Sequence, residues 1–333
     1  METRKVQLTG SSSYVVTLPK EWITSHNIKK NDPVGVIIQP NGMLLVTSKS
    51  KGENYYKTKE INADEIDDEI YLFRILISAY INGYSTIIIN SKQRILSYVR
   101  ECAIRFTQTA IGPEIIEEGM KSIMIRDLLN PVEMPFEKTI KRMSVLVMTM
   151  HEDAINALKN KESHIASDIE ARDRDVDRLH WLISRQFNIL LKNMELSDKM
   201  NITQDRATYL FLISRLIERI GDHAVKIAKN VQHLSDKRMD HEILEMIQAA
   251  SSLSLKIFKD TMDAWSNRDM KAANKNIESI NELSSYCEKI YDLSLNKKGS
   301  YSLPLGYISE SIRRTGEYST DISELLINYM VNE

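Results

Sequence analysis

Three observations predict a multi-domain, mainly α fold. From Pro135 onward the apolar residues recur at helical spacing, with almost no strand signal. The first 50 residues instead alternate short β-branched runs with turns. Between them, Ile87-Ile88-Ile89 sits as a buried strand among helix-period segments. The expected architecture is a β module over 1–50, a small α/β unit over 61–130, and a helical region over 135–333. In the last, two tandem three-helix bundles span 137–233 and 240–331.

Composition narrows the function classes. The chain has 333 residues and a net charge of −2, so overall charge points to neither nucleic acid nor membrane. Cys102 and Cys287 are the two cysteines, without Cys-x-x-Cys spacing, which argues against a disulfide framework or a thiolate zinc site. No run approaches the roughly 18 apolar residues of a spanning helix. Met1 to Lys5 is followed by no apolar stretch of signal-peptide length. A cytoplasmic protein without membrane insertion is expected.

In the β module, Val6 to Leu8, Tyr14 to Leu18, Val34 to Ile38 and Met43 to Val46 read as strands. Pro19 stops the second, Lys20 to His26 can form one or two helical turns, and Pro40-Asn41-Gly42 is a hairpin turn. Four such short strands bury too little to stand alone, so another domain or a second copy must cover them. Arg4-Lys5-Val6, Gly10 to Tyr14, Val16 to Trp22 and Ile28 to Val34 together resemble an AbrB/SpoVT-type domain. Asn31 stands where that family usually has Gly, and Asn tolerates the same left-handed turn. The resemblance implies a swapped-hairpin homodimer whose basic residues, here Arg4, Lys5, Lys20, Lys29 and Lys30, contact DNA. Residues 1–60 carry nine Lys and Arg against five Asp and Glu. The other reading is a module that only dimerises, with its lysines as solvated surface.

Residues 51–65 are polar and read as a linker. A helix over 66–82 ended by Gly83, a strand over 85–90, a helix capped by Ser91 and running to about 110, and a hairpin across Glu118-Gly119 make an α-β-α-β-β unit. It carries no phosphate-cradling glycine pattern, and a spacer or dimer platform is expected. Six helices follow, over 137–160, 162–194, 203–233, 240–267, 269–298 and 305–331. Thr203, Asp205 and Ser302 stand near their starts as candidate caps.

The third of these helices carries the chemistry. Apolar residues from Ile213 to Val231 mark one buried face, and Glu218 and Asp222 project four apart from one side. On the second helix Asp173 and Asp177 are likewise four apart. If the two helices are neighbours, four carboxylates face one another and repel unless a cation joins them. Oxygen donors suit Mg²⁺, Ca²⁺ or Mn²⁺, and carboxylate-bridged iron or zinc is an alternative. The competing reading is a solvated face balanced by Arg172, Arg174, Arg178, Arg215 and Arg219. His223 points about 100° away from Asp222 around the helix, and His180 sits three residues after Asp177; both read as ordinary packing histidines. His151-Glu152 is not the start of His-Glu-x-x-His, because Ile155 occupies the last place.

Glu218-Arg219-Ile220-Gly221-Asp222-His223 resembles the signature of the PhoU family of phosphate-uptake regulators. The pattern recurs as Ile312-Arg313-Arg314-Thr315-Gly316-Glu317, and Glu278-x-x-x-Glu282 answers Asp173-x-x-x-Asp177, so the six helices read as a duplicated three. With the AbrB-like start, the whole arrangement resembles archaeal PhoU-like regulators. The resemblance implies metal binding by Asp173, Asp177, Glu218 and Asp222. A weaker second set is Glu278, Glu282 and Glu317, where Arg313 replaces the first acid and can neutralise its neighbours. It also implies a regulator of phosphate uptake whose partner is a phosphate transporter's ATPase or a sensor kinase. The metal is divalent or trivalent: Fe, Zn, Mn or Mg. The alternatives are an adaptor that binds the transporter without DNA, or a carboxylate-bridged metalloenzyme. No nucleophile-base pair and no Glu-x-x-His at the ridges supports the last, so no enzyme is expected.

Overall fold

A computed structural model describes residues 2–38, 42–48, 57–162, 164–234, 239–295 and 301–332. The chain divides into two units, Met1–Tyr55 and Tyr56–Glu333.

The first unit pairs β1 (Gln7–Thr9) with β2 (Ser13–Val15), then places α1 (Lys20–Ser25) before the hairpin of β3 (Gly35–Ile38) and β4 (Leu44–Thr47). Pro40 and Asn41, the expected hairpin turn, lie outside the described residues. Asn31 does adopt the left-handed conformation, with φ of 75°. None of the unit's described residues is buried. Leu8, Tyr14 and Ile38 are 61%, 75% and 79% exposed. Two-stranded hairpins with an open apolar face are marginal alone in water.

The second unit opens with a four-stranded sheet of order β5-β6-β8-β7. Its strands are β5 (Thr58–Asn62), β6 (Thr86–Asn90), β7 (Pro113–Glu118) and β8 (Ser122–Asp127), with α2 (Glu69–Ile81) and α3 (Ser97–Thr109) between them. β5 runs parallel to β6, and the other neighbours are antiparallel. Residues 58–62 are therefore strand where a linker was expected, and 51–56 lie outside the described residues. β5 is an edge strand whose single buried residue is Ile61, so its sequence shows no apolar alternation. Ser91 does not cap α3. Its hydroxyl instead donates to Asp64 at 2.6 Å, and the helix starts six residues later.

The helical region comprises α4 (Phe136–Asn160), α5 (Ile165–Leu190), α6 (Met194–Met200), α7 (Gln204–Gln232), α8 (His241–Asn267), α9 (Met270–Glu278), α10 (Ile280–Leu295) and α11 (Ser302–Asn332). The expected 162–194 helix thus stops at Leu190, and short α6 fills the expected break. Thr203 caps α7, its hydroxyl accepting from the Arg206 N–H at 3.2 Å. The expected 269–298 helix is interrupted at Ser279, and its last residues, 296–298, lie outside the described ones, as do 235–238 and 299–300 within the expected breaks. Pro304 sits in the first turn of α11, where its missing N–H has no intrahelical partner to lose. One apolar core joins both bundles, running from Phe136 through Ile217 and Phe258 to Ile322.

The sheet and the bundle are locked together by Arg185 of α5. Its guanidinium meets Asp127 of β8 at 2.6 Å and donates to the carbonyls of Tyr80 and Tyr84 at 2.5 and 2.9 Å. It also lies 4.8 Å from the Tyr80 ring centroid. Both members of the pair are almost fully buried. The neighbouring Gln186 donates to the carbonyls of Pro131 and Met134. Among the described residues no helix is long and apolar enough to cross a membrane.

Candidate functional site

α5 and α7 pack side by side and bring the four expected carboxylates of the first half into mutual range. Gly221 sets the closest approach: a Cβ there would stand 3.0 Å from Asp173 Oδ1 and 3.4 Å from Val147. The glycine costs α7 about 1 kcal/mol of helix propensity and lets the Asp173 carboxylate lie against the helix backbone.

Electrostatics follow from this packing. Burial, then Asp173, Glu218 and Asp222, pushes Asp177 up to about 7. Burial and Asp222 push Asp173 up to about 6, against the pull of Lys229. Glu218 is raised by burial, Asp222 and Asp173. Asp222 is the most exposed of the four, yet partial burial of its carboxyl also raises it, opposed by Lys226 and Arg219.

Arginines do not balance these acids by contact. Arg172 is held by Asp153 and Asp168, each at 2.7 Å. Arg178 pairs with Asp175 at 3.2 Å, and Arg219 lies over the Tyr318 ring. Among the described residues, none of the four carboxylates has an ion-pair partner. Hard oxygen donors that hold their protons too tightly suit a divalent or trivalent cation by chemistry. Among the described residues, however, no three His, Cys, Asp or Glu are gathered as a ready shell. A bound ion would have to draw the side chains in.

The histidines belong to the core. His180 Nδ1 lies 3.0 Å from Ser214 Oγ, and its ring stacks on Phe211. His151 Nε2 lies 3.0 Å from Ser251 Oγ. His223 packs 5.7 Å from Tyr318, centroid to centroid. Burial lowers all three to about 4.

Two contacts fix the correspondence between the halves. Gly221 abuts Asp173 and Val176, whereas Gly316 abuts Ile280 and Leu283. Ser214 meets His180, and the Ser309 hydroxyl donates to the Cys287 carbonyl at 3.0 Å. Both relations align α10 with α5 so that Ile280 stands where Asp173 stands and Ser284 where Asp177 stands. The expected match of Glu278 and Glu282 to that pair is therefore two residues out of register. Glu278 ends α9 and accepts from Asn274 at 3.1 Å. Glu282 takes the place of Asp175 and lines a groove with Asp260 and Asp263 of α8. Glu317 ion-pairs with Arg313 and, at 2.9 Å, with Arg314. The second half does not assemble its three expected acids.

The five basic residues expected to contact DNA are exposed. Arg4 pairs with Glu2 at 2.7 Å, Lys5 precedes β1, Lys20 opens α1, and Lys29 and Lys30 follow it. A second basic feature escapes sequence reading. Lys57, Lys59, Arg74 and Lys192 line a cavity of about 730 Å³ beside β5 and α2, with no acidic residue among its described walls. Its signal was Lys57 just before β5 and Lys59 within it, which gain meaning only once the segment is read as strand.

Comparisons with known proteins agree with this anatomy. Residues 140–231 match the PhoU domain family, and residues 7–54 match the family described as antidote-toxin recognition MazE, bacterial antitoxin. The chain is 24% identical over 195 residues to a phosphate-specific transport system accessory protein PhoU homolog of Clostridium acetobutylicum, covering 56% of this chain and 86% of that protein. A homolog 1 of the same description from Thermotoga maritima is 23% identical over 198 residues, covering 56% and 82%. The fold resembles the crystal structures of PhoU from Pseudomonas aeruginosa (TM-score 0.54, 19% identity, 60% of this chain and 96% of that one) and of the phosphate transport system regulatory protein PhoU from Streptococcus pneumoniae (0.52, 20%, 60% and 94%). These relatives are bacterial, and they lend the archaeal arrangement no support.

Proposed function

We propose that this chain is a non-catalytic regulator of phosphate transport, with a metal-dependent first bundle and a dimeric, DNA-contacting β unit. The observation that carries it is the convergence of Asp173, Asp177, Glu218 and Asp222 across α5 and α7, inside the segment that matches the PhoU domain. The relatives named above are accessory proteins of phosphate transport, which supports regulation rather than turnover. These four side chains would hold the ion, which would supply positive charge and open coordination positions for phosphate. The chain's own part is to keep the carboxylates half-buried and unpaired, so that a cation gains more there than at a solvated surface. Phosphate has a second location in this reading, because the cavity beside Lys57, Lys59, Arg74 and Lys192 presents four cations and, among the described residues, no acid.

The test is metal analysis by plasma mass spectrometry of the full chain and of Glu218→Gln/Asp222→Asn, after loading with Mn²⁺, Fe²⁺, Zn²⁺ or Mg²⁺ and desalting. About one equivalent or more in the parent, lost in the variant, is expected. An unloaded parent would sink the site. Phosphate titration of loaded and stripped protein then separates the two anion locations, because only the Lys-lined one survives stripping.

The β unit is read as a dimer because its apolar strands have no cover within the unit. In this reading Arg4, Lys5, Lys20, Lys29 and Lys30 lie against phosphates, giving affinity that falls with salt. Anisotropy titration of labelled duplex at 50 and 200 mM salt is the check. Lys29→Ala/Lys30→Ala should weaken binding to all sequences similarly and flatten the salt slope by up to about two. No binding at either salt, with the chain dimeric by light scattering, would leave the adaptor reading in its place.

A further inference from the structure

The second bundle contains a cavity that the first bundle fills. It measures about 600 Å³ and lies between α10 and the first half of α11. That volume is within the usual range for small-molecule sites, roughly 300–1,000 Å³. The correspondence established at Gly221/Gly316 and Ser214/Ser309 shows why it is open. In the first bundle this place is occupied by a column of rings: Phe187 on Phe211 at 4.8 Å and nearly coplanar, then Phe211 on His180 at 6.0 Å. The matched residues in the second bundle are Ser294, Gly306 and Cys287, and all three line the cavity. Three rings have become a hydroxymethyl, a hydrogen and a thiol. A Cβ built on Gly306 would meet nothing within 4 Å.

The walls state what fits. Tyr291 and Tyr307 flank the mouth, half exposed, with Leu295 and Leu303 beside them. The small polar groups are already satisfied: Ser294 Oγ donates to the Tyr291 carbonyl, and Ser309 Oγ donates to the Cys287 carbonyl. They therefore leave apolar floor rather than unmet hydrogen bonds. Of the charged lining, Glu288, Asp292 and Glu310 outnumber Arg313, which is itself bound to Glu310 at 2.6 Å. Glu310 is shared with Arg314 as well, so it is neutralised within its own network.

We propose that the cavity beside Gly306 binds a planar aromatic small molecule, neutral or cationic, seated where the His180–Phe211–Phe187 column sits in the first bundle. Aromatic rings recover area burial together with stacking on the two tyrosines, and a cationic ring gains from their faces. The site lies in the half that lacks the four-carboxylate arrangement, so it is independent of the metal reading.

The test is fluorescence titration of the full chain with the neutral dye N-phenyl-1-naphthylamine. Gly306→Phe should rebuild the missing ring and weaken dye binding at least tenfold. Gly306→Ala, which restores a side chain without filling the space, should bind as the parent does. Unchanged circular dichroism and denaturant midpoint in Gly306→Phe would show that the bundle is intact. Because the exposed β unit can also take up dye, crystals of the parent soaked in 4-bromoaniline provide a second measurement. A bromine anomalous peak beside Gly306 is expected. Dye affinity unchanged in a folded Gly306→Phe, or bromine found only elsewhere, would overturn the proposal.

Discussion

The two bundles share a skeleton and differ in nearly everything polar. Leu210, Ile213 and Ile217 in α7 have Leu305, Ile308 and Ile312 as counterparts in α11, and all six are buried. The seam that folds each half has been kept. At the positions facing α5 and α10 the halves diverge: Asp173 against Ile280, Asp177 against Ser284, Glu218 against Arg313, Phe211 against Gly306 and Arg185 against Asp292. One half therefore concentrates unpaired carboxylate and anchors the sheet. The other neutralises its acids in a Glu310-Arg313-Glu317-Arg314 network and opens a cavity. A packing stripe tolerates duplication because only shape and apolarity are asked of it, while each site residue is free to change once a second copy exists.

The largest effect that breaks the comparison is expected at Arg185. Its counterpart Asp292 is exposed and offers the sheet no such cation. Arg185→Ala leaves Asp127 buried without its cation, together with the carbonyls of Tyr80 and Tyr84. Breaking a buried pair on one side costs about 3–5 kcal/mol. Gly112 makes the site unforgiving, since a Cβ there would come within 2.4 Å of Asp127 Oδ1. Denaturant unfolding of Arg185→Ala should show that loss, or an early transition as the sheet detaches. Arg185→Met/Asp127→Leu should recover the part owed to the unpaired charge and no more, because the Tyr80 and Tyr84 carbonyls and the Leu129 N–H stay without their partners. A single variant as stable as the parent would mean that the pair does not join the two parts.

How much of this was legible in the sequence depends on the kind of signal. The long helices, their seam and the Glu218/Asp222 ridge were readable, because periodicity over 25 or more residues is a strong statement. β5 was not, because an edge strand with one buried side chain carries no alternation, and only pairing with Ile87 to Ile89 makes it a strand. The break at Ser279 was hidden too: nothing in Glu278-Ser279-Ile280 forbids a helix. That break underlies the misalignment of Glu278 and Glu282, since sequence spacing alone cannot show that Leu283 rather than an acid meets Gly316. Nor could it show the Arg185–Asp127 pair, whose members are 58 residues apart. The missing ring column was present in the sequence as Cys287, Ser294 and Gly306, but it acquires meaning only from the register.

The smallest effect sharpens the comparison by titrating the first bundle against itself. Asp177 has an ordinary value near 4 when unfolded and about 7 when folded. The folded state then holds the proton more tightly, so this group's favourable contribution is complete below about pH 4. It is lost as pH rises to 7, above which the ionised carboxylate is a net cost. Asp177→Asn mimics the protonated form at every pH. In chelator, the variant and parent should unfold alike near pH 3.5, and the variant should be more stable by about 1–2 kcal/mol at pH 8, a figure reduced from the full shift because the group is partly solvated. Ser284, the matched residue in the second bundle, has no charge to titrate, so Ser284→Asn should show no such pH-dependent gap. A parent that equals or exceeds Asp177→Asn at pH 8 would mean that the four carboxylates of α5 and α7 are not held in mutual repulsion. The case for a cation between them would weaken with it.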